Sequence, residues 1–224
     1  MIINELVLYS NDLLKVKDFY AKVLGIPIIH QDLISIQFEL GSTKLTFEYR
    51  KKEVCPYHFA MNIPSNMENE VLNWLSERSM VLPYLGKSIV DFSDWNAKAI
   101  YSLDYNGNII EFIARKNLNI QGSGGFDGSS IQCVSEIGLS CDNIEEIFFK
   151  LKKVCGIPFY YGSMVSFCAA GDELGLFILV DSKKRFWFPT KTLALAENFK
   201  TIIQEGTKRF RIEYENKLLN LIEL

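Results

Sequence analysis

The stretch Glu5-Leu6-Val7-Leu8-Tyr9-Ser10-Asn11-Asp12, followed by a helical pattern that closes at Gly25-Ile26-Pro27, returns 131 residues later. It reappears as Glu136-Ile137-Gly138-Leu139-Ser140-Cys141-Asp142-Asn143, closing at Gly156-Ile157-Pro158. The two copies align without a gap, and each reads as a strand, a polar break, a helix and a glycine stop. Such a repeat means that one supersecondary unit was used more than once, and it tells which positions are equivalent. Function is expected where equivalent positions stop agreeing.

Working outward, Leu13, Val16, Phe19, Tyr20, Val23 and Leu24 recur at helical spacing and predict a helix over 12–24. Asn11 or Asp12 can accept from the free amides of its first turn, and Gly25 supplies a left-handed end that Pro27 keeps from resuming. Ile144, Ile147, Phe148, Leu151 and Val154 repeat this face over 144–155. After each helix the period changes to alternation. Strands are expected over 34–40 and 45–50 about Gly41-Ser42, and over 164–170 and 174–181 about Gly171-Asp172.

A more diverged copy lies between these two. A strand over 57–63 leads through Pro64-Ser65-Asn66 into a helix carrying Met67, Val71, Trp74 and Leu75. Strands over 98–103 and 109–115 follow, joined through Asn106-Gly107, the signature of a type I′ hairpin. The run Gln121 to Ser130 sustains no period and reads as a flexible connector. Alternating segments at 199–204, 208–214 and 218–223 indicate a reduced fourth unit. The chain therefore reads as α+β, built of β-α-β-β-β modules: a half over 1–115, a linker over 116–130, and a half over 131–224 whose last module is reduced.

At 224 residues and 48% apolar content the chain can bury one large core or two small ones. A net charge of −3 with interspersed signs gives no stripe that would neutralise a phosphate backbone, so nucleic acid is not an expected partner. No apolar run approaches the roughly 20 residues of a membrane span, and no basic region precedes an apolar stretch at the N-terminus. A cytoplasmic location is expected. Five cysteines, an odd number with no C-x-x-C pair, read as reduced and mostly buried thiols.

Phe19-Tyr20-x-x-Val23-Leu24-Gly25 early in the first module, with Asp104-x-x-Gly107-Asn108-x-x-Glu111-Phe112 at the end of the second, resembles the vicinal oxygen chelate superfamily. That group includes glyoxalase I, extradiol dioxygenases and bleomycin-resistance proteins. The resemblance implies paired modules whose mixed sheets curl into cups, with metal ligands on the first and last strands of each module. Carried over, these places fall on Glu5, His58 and Glu111. The fourth falls on Thr46, a poor ligand, which Glu48 could replace two positions on along the same face. The resemblance implies a divalent metal ion there and a glyoxalase-like lyase or isomerase acting on a small oxygen-chelating molecule, with Glu111 as proton-transfer base. Ring cleavage of the 2-His-1-carboxylate type is disfavoured by the single candidate histidine. The alternative is a metal-free protein that sequesters a small molecule in its cup. A homodimer is left open.

Each candidate also has a plainer reading. Glu136 matches Glu5, yet Leu176 and Ile178 stand where Thr46 and Glu48 do, so a Glu can persist at this place without a ligand set. On that reasoning the chemistry is expected in the first half alone. Glu111 sits among Ile109-Ile110 and Phe112-Ile113, where an unpaired carboxylate costs several kcal/mol. Lys98 could neutralise it. The Phe186-Trp187-Phe188-Pro189 cluster is either a pocket wall or a plug over an open sheet, and His30 reads as a surface residue.

Overall fold

A computed structural model describes all residues from Met1 to Leu224. The first module comprises β1 (Ile2–Ser10), helix α1 (Leu13–Lys17, widening to a looser turn over Asp18–Val23), β2 (Ile28–Gln31), β3 (Ser35–Leu40) and β4 (Thr43–Tyr49). The second comprises β5 (His58–Ile63), α2 (Glu68–Ser76), β6 (Val81–Leu82), β7 (Val90–Phe92), β8 (Ala97–Leu103) and β9 (Ile109–Arg115). The third comprises β10 (Cys133–Cys141), α3 (Ile144–Cys155), β11 (Phe159–Ser163), β12 (Phe167–Asp172) and β13 (Gly175–Asp181). The last is the expected reduced module of strands only: β14 (Phe199–Glu205), β15 (Lys208–Glu215) and β16 (Leu218–Glu223).

The repeat is built as its residues dictate. Asp12 accepts from the amides of Leu14 and Lys15, Asn143 accepts from that of Glu146, and Gly25 and Gly156 end the helices at φ +68 and +77. One detail was not legible: each first strand carries a bulge just before its Glu, at Ile3/Glu5 and at Val134/Glu136. A bulge resets the alternation, so it decides the face that each carboxylate points to.

In the first three modules the first strand pairs in parallel with the last: β1 with β4, β5 with β9, and β10 with β13. Modules then join antiparallel through their first strands, and here the structure corrects the sequence reading. β1 pairs with β14 and β5 with β10, giving a seven-stranded sheet from modules one and four and a nine-stranded sheet from modules two and three. The cup expected from residues 1–115 alone does not form. Every first strand presents the same free edge, so periodicity cannot say which two edges meet.

The connector is held in place. Gly122 and Asn66 exchange hydrogen bonds, Phe126 is buried edge-on against Trp74, and a Cβ at Gly128 would lie 2.2 Å from the Leu24 carbonyl oxygen. The Asn106-Gly107 turn also differs from expectation. Only Gly107 takes positive φ, and Asp104 organises the loop by accepting from the amides of Asn106 and Asn108.

One face of each sheet enters a continuous core, with Leu6, Leu8 and Phe47 from one and Phe59, Phe112 and Ile137 from the other. The opposite face of the nine-stranded sheet carries a second, smaller cluster rich in alanine, among them Ala60, Ala97, Ala99 and Ala169, closed over by Trp187. Small side chains there leave room for a cavity. All five cysteines are free thiols, four of them buried, and no helix is long and apolar enough to cross a membrane.

Candidate functional site

That cavity holds about 520 Å³ and opens on the alanine-rich face of the nine-stranded sheet. Strand register sets its floor. Tyr101 on β8, Glu111 on β9, Ala60 on β5 and Glu136 on β10 lie in one row across four adjacent strands. His58 is two residues from Ala60, so it shares that face one pair further along. Ala60 between the two glutamates keeps the row open.

The floor is charged and buried. His58, Glu111 and Glu136 are all buried, and Arg115, two alternations beyond Glu111 on β9, is fully enclosed. Its guanidinium pairs with Glu136 through Nη2 and donates to Asn62 Oδ1 at 3.1 Å through Nε. Burial, then repulsion by Glu111, raises the Glu136 carboxyl to about 7 against the pull of Arg115. Burial first, then the same Glu111, pushes the Tyr101 hydroxyl well above its ordinary range and keeps it a donor.

His58 Nε2 stands 3.2 Å from Glu111 Oε2. The approach is out of line, so both ring nitrogens remain buried without a hydrogen-bond partner. The ring is stacked between Trp187, at 5.7 Å, and Tyr101, at 6.3 Å. Trp187 reaches it because position 138 is glycine: a Cβ there would lie 2.6 Å from Trp187 Cη2. Its indole nitrogen donates to the Pro56 carbonyl, and Phe188 beside it stacks edge-on against Tyr101.

Two of the three residues expected to hold a metal, His58 and Glu111, thus meet in one cavity. Glu5 does not join them. It lies on β1 in the other sheet, half-buried, opposite Lys44 of β4 and Ile202 of β14, because the first module pairs with the fourth. Its repeat partner Glu136 takes the place by the cavity, so the cavity draws its lining from both halves and not from the first alone. Lys98 turns away to Glu68, 3.2 Å distant, and His30 is exposed as expected. Sequence reasoning missed Arg115 and Glu136. A charged residue closing the apolar strand Ile109–Arg115 was the available signal for the first, and the repeat itself for the second.

No protein-family model and no curated protein matches the chain. Solved structures do match its shape. A candidate dioxygenase of Bacillus subtilis subsp. subtilis strain 168 superposes with a TM-score of 0.64 at 13% identity, over 100% of this chain and 84% of its own. Glyoxalase I of Zea mays superposes at 0.60 and 11% identity, over 99% of this chain and 92% of its own. The chain shares the fold of these two structures. At such identities the likeness carries architecture, and the chemistry has to come from the residues.

On the paired first and last strands of the nine-stranded sheet, the places that the sequence resemblance would assign to metal ligands carry His58, Glu111, Glu136 and, on β13, Ile178. The set does not fit a divalent ion. Ile178 offers hydrocarbon, Arg115 already neutralises Glu136 with a fixed positive charge, and no three His, Cys, Asp or Glu side chains anywhere in the chain are arranged to hold a metal. What the cavity does offer is a proton acceptor at Glu111 or His58, and donors at Tyr101 and, below neutrality, Glu136.

Proposed function

We propose that this chain binds a small organic molecule in the cup between its second and third modules, with no resident metal, and exchanges a proton with it at the His58–Glu111 pair. The observation behind this reading is His58. A buried polar group without a partner costs roughly 1–3 kcal/mol, and this one lines the cavity with both ring nitrogens unbonded. A bound molecule would offset that cost. The cavity size and its mixture of rings with a few convergent polar groups are those of small-molecule sites.

Two measurements test this. Protein purified without chelator should contain far less than one equivalent of any divalent ion by elemental mass spectrometry, whereas a stoichiometric ion removed by His58→Ala would overturn the metal-free reading. Native mass spectrometry or a thermal-shift screen should then reveal a bound or stabilising organic molecule whose effect is lost in His58→Ala. A cup that retains and accepts nothing would overturn the binding reading.

A further inference from the structure

The ligand of this cup is an organic cation. We infer that class from what surrounds His58, and the inference rests on the reading of the cup as a small-molecule site. Four carboxylates line the cavity: Glu111 and Glu136 at the floor, Asp91 and Asp94 at the rim. Only Glu136 has an Arg or Lys partner. Asp94 accepts from the Tyr161 hydroxyl at 2.8 Å and Asp91 from the Ser93 hydroxyl at 3.1 Å, while Glu111 faces His58. The one cation of the lining, Arg185, turns its guanidinium over the Phe167 ring and donates to the Ser166 carbonyl.

The cavity is therefore negative whether Glu136 holds its proton or not, and its low-dielectric walls concentrate that field. Those walls are largely aromatic, with Phe92, Trp95, Tyr101, Trp187 and Phe188 among them. Ring faces attract ammonium and guanidinium groups, most strongly where water is excluded. Trp95 already does this within the chain, with the Arg115 guanidinium 5.6 Å from its centroid. Rings around carboxylates that lack an Arg or Lys partner, over a buried His58 whose ring nitrogens make no hydrogen bond, suit a planar ligand carrying an amine.

Three naphthalenes of equal shape separate charge from shape: 2-naphthylmethylammonium, 2-naphthylmethanol and 2-naphthoate, titrated calorimetrically into the full chain. The ammonium should bind about tenfold more tightly than the alcohol, a difference that one desolvated cation–ring contact can supply. The naphthoate should bind most weakly. Raising the salt concentration should narrow the ammonium–alcohol gap, and Asp91→Asn with Asp94→Asn, at the exposed rim where folding is not at stake, should reduce ammonium affinity more than alcohol affinity. Equal binding of ammonium and alcohol, or a preference for naphthoate, would overturn the cation inference and leave the binding site standing. Failure of all three to bind would overturn both.

Discussion

β1 and β10 are copies of one strand, and their faces away from the main core have come to opposite ends. On β1 the row Glu5, Val7, Tyr9 faces an open sheet surface where Arg50 lies 3.9 Å from the Tyr9 ring centroid and Lys200 approaches Glu48 at 3.9 Å. On β10 the row Glu136, Gly138, Ser140 is buried. The loop from Ser182 to Asn198 folds back over it, setting Trp187 on Gly138 and the Ala194 carbonyl on the Ser140 hydroxyl. Gly138, where the first copy has Val7, leaves the room that the roofing Trp187 occupies. The duplicated glutamate follows: half-exposed on β1, beside buried Arg115 on β10.

The sharpest way to break this contrast is Arg115→Met. It leaves Glu136 buried without its counter-charge, a loss of about 3–5 kcal/mol. Chemical denaturation should show a larger loss near pH 8 than near pH 5, because Glu136 can take up a proton at the lower value. The equivalent change around Glu5, Lys44→Met, should cost almost nothing.

Gly138→Val installs in the second copy the residue of the first. With a Cβ 2.6 Å from Trp187, the indole must leave, at an expected cost of about 1–3 kcal/mol. A red shift of tryptophan emission and loss of ligand binding should accompany the lower midpoint. Unchanged emission would mean that Gly138 is not what seats the roof.

A smaller effect is the pH dependence carried by Glu136. Its carboxyl rises from an ordinary 4.5 to about 7 on folding, so between those values the folded chain holds more proton than the unfolded one. Stability from this group is fully present below the lower value and is lost as pH rises through the upper one. Glu136→Gln should flatten that part of the stability curve, although its absolute stability falls because Arg115 loses its partner. The smallest effect belongs to Glu5→Gln. A half-exposed side chain with no ion pair should change stability by less than about 0.5 kcal/mol and leave ligand binding untouched.

Much of the fold was legible because its signals are local. Helix Ile144–Cys155 and strands Ile109–Arg115 and Leu218–Glu223 stand at their expected bounds, since apolar spacing and flanking glycines act within a few residues. The site was half legible. His58 and Glu111 sit on neighbouring parallel strands of a single module, so reading that module sufficed to place them together. Glu136 arrives from a strand 25 residues beyond Glu111 across a module junction, and nothing local marks which junction forms.

The sequence alone determined the module, its repetition and the place of a glutamate at the start of both copies, because periodicity, caps and turns are properties of short segments. Only the tertiary structure decided which edges joined, and hence that Glu136 rather than Glu5 lies beside His58 and Glu111. Edge pairing depends on backbone groups that every strand possesses alike, and the choice among equal edges is made by the packing of the whole chain.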